Sequence, residues 1–327
     1  MSLLVIRAEE IRELLPMADC IGAMDSAMRA FSAGEVTIPA RIIAPLGDKR
    51  SFFILMPGEM SSPPMYGAKV VGLHPDNPAH GRPAVQGFVT LFDGRTGNLV
   101  MLADGAEITT IRTAAASALA TRVLARQAAA SHGILGTGVQ AASHLEAIRC
   151  VRDIQNVRVW GRNPEKARQF AALHASQPGM DISAVADPAE AANCDIVSVV
   201  TNSPQPVLKG TWLKPGAHVN LVGAHEADHR EADTEALSLS GVYVDSLEGA
   251  LSEAGDILIP ITEGAITKDH IVGEIGKVLL GKVPGRADAE QITMYKSLGL
   301  FAQDLFASRL LLQGALKKGM GQAVEFP

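Results

Sequence analysis

The sequence predicts an α/β protein: a doubly wound parallel-sheet domain together with an α+β domain built from both chain ends. Three observations carry this. From His132 onward strand-like and helix-like segments alternate, the pattern of a parallel sheet with crossover helices. A glycine turn, Gly136-Thr137-Gly138, stands between the first of those strands and the first helix. The segments on either side lack the alternation, and 327 residues suit two domains better than one small core.

The elements follow in order. Ile11, Leu14 and Leu15, then Ile21, Met24, Met28 and Phe31, repeat at helical spacing, and Pro16 starts a second helix rather than interrupting one. Residues 51–56, 68–73 and 87–92 read as strands, and Asp93-Gly94-Arg95-Thr96-Gly97 has turn chemistry. This first part therefore predicts a mixed or antiparallel sheet with helices. Residues 109–124 are alanine-rich and read as a closely packed helix. Strands at 133–135, 157–160, 196–200, 219–222 and 242–245 alternate with helices at 139–151 and 164–174. Residues 292–313 read as a helical pattern broken by Gly299, returning to the first part. The expected domains are 1–128 with 295–327, and 129–294.

Composition excludes several classes of function. The formal net charge is −6 with no Lys/Arg-rich run, which argues against a nucleic-acid partner. Hydrophobic residues make up 47% and charged residues 20%, as in ordinary globular chains. Cys20, Cys150 and Cys194 fit neither a metal site nor a disulfide framework, so a reducing compartment is expected. The N-terminal apolar run is too short for a signal peptide, and no uncharged stretch reaches the length of a membrane span. The expectation is a cytoplasmic protein without a membrane partner. No HExxH, paired CxxC or carboxylate cluster predicts a metal, and no Gly-x-Ser-x-Gly elbow predicts a hydrolase.

The glycine turn carries the chemistry. Gly136 permits a tight turn, Gly138 leaves room for a pyrophosphate, and Ala141 is small enough for helix to meet strand. The helix opening at Val139 and Gln140 turns free N–H groups and a positive dipole end towards phosphate. The bland alternative is a strand–helix turn without ligand; the strand before it, the helix after it and the second strand favour the dinucleotide. That second strand ends in Gly161-Arg162-Asn163, where an NAD enzyme usually carries Asp or Glu. An arginine attracts the extra phosphate of NADP, so NADP(H) is favoured and NAD(H) is the alternative. Asn163 and Pro164 also read as plain helix capping, with an additional phosphate contact open to Asn163. Ligands lie at the carboxyl ends of parallel strands, which places Thr201, Asn202, Gly223 and His225 on the cofactor side.

Lys69-Val70-Val71 with Pro75-Asp76-Asn77, Leu91-Phe92-Asp93 with Thr96-Gly97, the stretch from Thr109 to Ala115, the glycine turn through Ala141, and Gly223-Ala224 form one set. Arg230-Glu231, Asp233, Glu253-Ala254-Gly255-Asp256 and Lys296-Ser297-Leu298-Gly299 complete it. Over nearly its whole length the chain resembles the ornithine cyclodeaminase/mu-crystallin family. The resemblance implies a Rossmann-type domain, a substrate domain from both chain ends, and a homodimer. It implies a small amino- or imino-acid substrate whose carboxylate is held by Arg41, Lys69 and Arg112, with Arg112 and Ser297 also near the cofactor. Members include cyclodeaminases, amino-acid dehydrogenases and cyclic ketimine reductases.

Lys69 lies in an apolar run, where burial lowers an ammonium pKa and suits it to proton transfer. The alternative for Arg41 is a surface charge. Where cyclodeaminases carry an aspartate after the Gly-Gly or Gly-Ala pair, this chain has His225; Asp228 is offset by three residues and is not its equivalent. His225 reads as a proton donor, a polar pocket wall, or a histidine bonded to a loop carbonyl. The leading expectation is therefore an NAD(P)H-dependent imino-acid reductase, an L-amino-acid dehydrogenase in reverse. The alternatives are an ornithine cyclodeaminase that uses NAD catalytically, and a non-catalytic NADPH-binding, crystallin-like protein.

Overall fold

The computed structural model describes residues 2–48 and 50–325. The chain divides into two compact units, residues 1–112 with 300–327, and residues 113–299.

The first part contributes β1 (Ser2–Ile6), α1 (Ala8–Leu14), α2 (Met17–Ala33), β2 (Val36–Thr37), β3 (Ile42–Pro45), β4 (Phe52–Ser61), β5 (Pro64–Leu73), β6 (Val85–Asp93) and β7 (Leu99–Asp104). α3 (Gly105–Leu124) follows, and the division between units falls within it. Pro16 caps α2, whose apolar stripe buries Cys20, Ile21, Met24 and Met28, and Gly34 ends it in the left-handed region at φ 76°. The turn after β6 is an Asx turn: Asp93 accepts the N–H groups of Arg95 and Thr96, each at 2.9 Å.

The second unit contributes β8 (Ser131–Leu135), α4 (Val139–Arg149), β9 (Asn156–Trp160), α5 (Pro164–His174), β10 (Asp181–Ala184), α6 (Pro188–Ala192), β11 (Ile196–Val199) and β12 (His218–Leu221). Then come α7 (Thr234–Ser238), β13 (Ser240–Val244), α8 (Leu247–Glu253), α9 (Gly255–Thr262), β14 (Ile271–Glu274), α10 (Ile275–Leu279) and β15 (Ile292–Lys296). The chain closes in the first unit with α11 (Phe301–Lys318) and β16 (Gln322–Glu325).

The first unit's sheet runs β16-β1-β7-β6-β5-β4-β2, with β3 also on β4. β1 and β7 pair in parallel and the other pairs are antiparallel. Alternation along β5 buries Gly67, Lys69 and Val71 on one face. α11 packs on α2 and against β4, β5 and β6. The second unit's sheet is wholly parallel in the order β10-β9-β8-β11-β12-β15-β13-β14. Its core includes Leu135, Val197, Val199, Val219, Leu221, Val242 and Met294. This is the doubly wound Rossmann architecture.

One expectation needs correction. Residues 292–296 are not helical: they form β15, inserted between β12 and β13 and buried from Thr293 to Lys296. The five residues Ile292-Thr293-Met294-Tyr295-Lys296 are too short a run for spacing alone to separate a strand from the helical pattern that follows. The helix proper begins at Phe301, after Gly299 at φ 81°. The second unit thus runs to residue 299, and it takes in Thr113 to Leu124, the later part of the alanine-rich helix.

Candidate functional site

The glycine turn joins β8 to α4. Gly136 sits at φ 132°, and a Cβ there would stand 2.8 Å from the Val200 carbonyl oxygen, so the position demands glycine. Its N–H donates to Trp160 O at 2.8 Å, which ties the turn to the end of β9. Gly138 caps α4, and a Cβ added there would meet nothing within 4 Å. Val139 beside it is 70% exposed. Open space at a helix N-terminus fits a dinucleotide's pyrophosphate. Behind it Ala141 is fully buried, and His144 locks the helix by bonding Gln140 O at 2.8 Å and Ser117 Oγ at 2.9 Å.

At the end of β9, Gly161 has a packing reason to lack a side chain. A Cβ there would lie 2.7 Å from Thr137 Cγ2. Arg162 and Asn163 are exposed, and no carboxylate stands between residues 160 and 163. Asn163 Oδ1 accepts from Glu165 N at 2.9 Å and Lys166 N at 3.3 Å, so capping accounts for it.

The ends of β11 and β12 meet on a residue without an assigned role in the sequence reading, Glu231. One carboxylate oxygen accepts Thr201 N at 2.7 Å and Thr201 Oγ1 at 2.6 Å. The other accepts Gly223 N at 2.5 Å and Ala224 N at 3.0 Å. The Thr201 hydroxyl also accepts Ser203 N at 3.1 Å, so it serves the loop itself. Beneath lie Asp256 and Lys296, both fully buried and 2.8 Å apart. Asp256 accepts the N–H groups of Glu231 and Ala232, and Lys296 Nζ donates to Ala224 O. Burial, with Asp256 nearby, pushes the Glu231 carboxyl up to about 7. Ser297 is buried, and its Oγ has no partner among the described residues. Asn202 is exposed.

His225 is half-buried, and its Nδ1 lies 3.1 Å from Gly223 O, the loop-carbonyl arrangement among the three readings of this residue. Asp228 is exposed, and with Glu226 and His229 it forms a grouping of potential ligand atoms within 4.8 Å of one another, which sequence spacing does not reveal.

The first unit holds the basic residues. Lys69 on β5 and Arg112 on α3 are both buried. Lys69 Nζ donates to both oxygens of Asp304, at 3.1 and 3.0 Å, and to Thr109 Oγ1 at 3.4 Å. Arg112 Nε reaches Asp304 Oδ1 at 3.2 Å, and its terminal nitrogen reaches Gln303 Oε1 at 2.7 Å. Arg41 is half-buried, and its positive charge acts on Lys69. Desolvation first, then the Arg112 guanidinium, hold the Lys69 ammonium down at about 8. One carboxylate faces two buried cations, so the cluster keeps a positive excess suited to an incoming anion. Asp304 and Gln303 were not singled out in the sequence. The signal was present: a charged residue inside the apolar run Phe301-Ala302-Gln303-Asp304-Leu305-Phe306 is as anomalous as Lys69 in its own.

The family model described as "Ornithine cyclodeaminase/mu-crystallin family" matches residues 1–319, and the chain belongs to that family. A Delta(1)-pyrroline-2-carboxylate reductase of Bacillus cereus is 35% identical over 326 residues, 99% of this chain and 100% of that one. The solved Thermococcus litoralis Delta(1)-pyrroline-2-carboxylate reductase, in complex with NADH and L-proline, superposes with a TM-score of 0.95 at 36% identity, covering 98% of this chain and 100% of that one. An archaeal alanine dehydrogenase dimer with bound NAD gives 0.94 at 30% identity, with both chains fully covered.

Proposed function

We propose that this chain is an NAD(P)H-dependent imino-acid reductase that converts a cyclic α-imino acid such as pyrroline-2-carboxylate to the L-amino acid. The observation that carries the proposal is the buried Lys69–Asp304–Arg112 cluster with its positive excess. The guanidinium of Arg112 and, from its half-buried position, that of Arg41 hold the substrate carboxylate. When bound, the reduced nicotinamide supplies a hydride to the imine carbon. Lys69, still mostly protonated near neutrality yet more acidic than an ordinary lysine, holds the proton that the substrate nitrogen takes up. His225, after β12, serves as a polar wall, its ring fixed by the loop carbonyl of Gly223. The dinucleotide lies on Gly136 to Gln140 with Thr201, Asn202, Gly223 and Ser297 around it. Arg162 at the end of β9, with no acid beside it, favours NADP(H) over NAD(H).

The working form is a homodimer. Ile42, Phe53, Tyr66 and Phe88 are 54%, 41%, 38% and 40% exposed. Strand register puts them on the sheet face opposite Lys69. Light scattering is expected to give twice the chain mass, and Phe53→Glu to give the monomer.

The test of the function is a screen of NADPH and NADH oxidation against 2-oxo acids with amines and against pyrroline-2-carboxylate. Net oxidation with the cyclic imine supports the reading. Ammonia release from ornithine without net cofactor change would sink it in favour of a cyclodeaminase. Tight nucleotide binding without turnover on any imine would favour a binding protein.

A further inference from the structure

The second unit contains a buried charged device that the reaction itself does not use. Glu231 gathers four donors from two strand ends: the N–H and hydroxyl of Thr201 after β11, and the N–H groups of Gly223 and Ala224 after β12. The knot is tight. A Cβ on Gly223 would lie 1.8 Å from Thr201 O and 2.6 Å from a Glu231 oxygen. Ala224 is held at both ends, its N–H by Glu231 and its carbonyl by Lys296, and Lys296 is anchored on Asp256. Asp256 in turn accepts the N–H of Glu231 itself, which closes the circuit.

A single carboxylate thus sets the spacing and peptide orientation of two loops that lie at the carboxyl ends of adjacent parallel strands, where this architecture receives its ligand. We infer that Glu231 is a positioning residue for the nicotinamide dinucleotide, holding the Thr201 and Gly223-Ala224 segments in the spacing that the bound cofactor requires. This rests on the dinucleotide reading of the preceding section. Glu231 touches no cofactor; it acts through the backbone it binds.

The chemistry singles out a carboxylate. Each of its two oxygens accepts two donors, so an amide in its place turns an N–H₂ towards two donors and forces one side of the knot open. Glu231→Gln keeps shape and volume and removes only this acceptor. Thr201→Val removes the hydroxyl, which donates to Glu231 and accepts Ser203 N–H, and leaves the three backbone N–H bonds to Glu231, a milder perturbation that a folded protein tolerates.

The experiment is calorimetric titration of NADPH and NADH into wild type, Glu231→Gln and Thr201→Val, well below each melting temperature, with steady-state kinetics alongside. The expected result is a dinucleotide Kd raised at least tenfold in Glu231→Gln and about twofold to fivefold in Thr201→Val. In Glu231→Gln, KM for the imino acid and kcat at saturating cofactor should stay within about threefold. A purely structural Glu231 would lower the melting temperature and leave these affinities alone. Unchanged dinucleotide affinity in Glu231→Gln overturns the inference. Should Glu231→Gln not fold, unchanged affinity in Thr201→Val overturns it. Wild type that binds neither dinucleotide overturns the cofactor reading itself, and the inference with it.

Discussion

The two compact units each bury a charged triad, and the two are built in opposite senses. In the first unit Lys69 and Arg112 share one carboxylate, Asp304. In the second unit two carboxylates stand with one ammonium: Asp256 pairs with Lys296 directly, and the Lys296 charge acts on Glu231 without a bond to it. Burial moves both titrating ends towards neutrality from opposite sides, the Lys69 ammonium down to about 8 and the Glu231 carboxyl up to about 7. The difference lies in where the remaining bonding capacity goes. Glu231 spends its acceptors on backbone N–H groups, so that triad organises its own chain. The first triad carries an extra positive charge, and Lys69 and Arg112 have donors in excess of one carboxylate. In the function we propose, the substrate carboxylate binds there.

The comparison is broken most directly at Lys69. Lys69→Ala is expected to reduce kcat/KM for the imino acid by a factor on the order of 10²–10⁴, the usual range for a general acid. Dinucleotide affinity, read by titration, should hold. A loss of dinucleotide affinity as large as the loss of turnover would mean that the triads are not separate in role.

Asp304→Asn tests the next step. It leaves two buried cations without their shared carboxylate, which costs about 3–5 kcal/mol in comparable buried pairs. Denaturant unfolding should register it as a lower midpoint at an unchanged slope.

A third prediction sharpens the contrast by pH. The second unit buries three neutral histidines, His132, His144 and His218, held at about 3, 4 and 3 by desolvation. Below about 6.5 the unfolded chain takes up these protons and the fold does not, so stability is present above that pH and falls as pH drops. Each histidine contributes a slope of up to about 1.4 kcal/mol per pH unit. Glu231 opposes them between 4.5 and about 7, because there the unfolded chain releases a proton that the fold retains. Three groups outweigh one, and melting curves from pH 7 to 4.5 should show a net fall. A flat profile would contradict the neutral, buried placement of these histidines.

The smallest effect concerns cofactor choice. Arg162→Ala should raise KM for NADPH by about tenfold, roughly 1.4 kcal/mol of lost charge-assisted bonding, with little change for NADH. Equal changes for both cofactors would remove Arg162 from phosphate recognition.

The glycine turn was legible because a tight strand-to-helix turn demands at Gly136 a backbone that glycine supplies, and that demand is local. Lys69 and Arg112 were legible for a related reason, charge within an apolar stretch. Asp304 shows the same signal but stands 235 positions from Lys69, and only the fold brings them together. Glu231 appeared as a member of a matching motif without a reason, because its partners are backbone N–H groups that carry no sequence signature. β15 is hidden in the sequence because five residues are too short a run to stand apart from the helical pattern that follows. His225 was legible as a departure from the cyclodeaminase pattern, while its bond to Gly223 O depends on how the loop folds.

The central claim is hydride delivery to an imine carbon with net consumption of the cofactor. It is tested most directly with pyrroline-2-carboxylate and NADPH carrying deuterium at the transferring position of the nicotinamide. The account predicts L-proline with one deuterium at Cα, formed mole for mole with oxidised cofactor. Proline formed from ornithine with ammonia release, no deuterium at Cα and no net oxidation would contradict it.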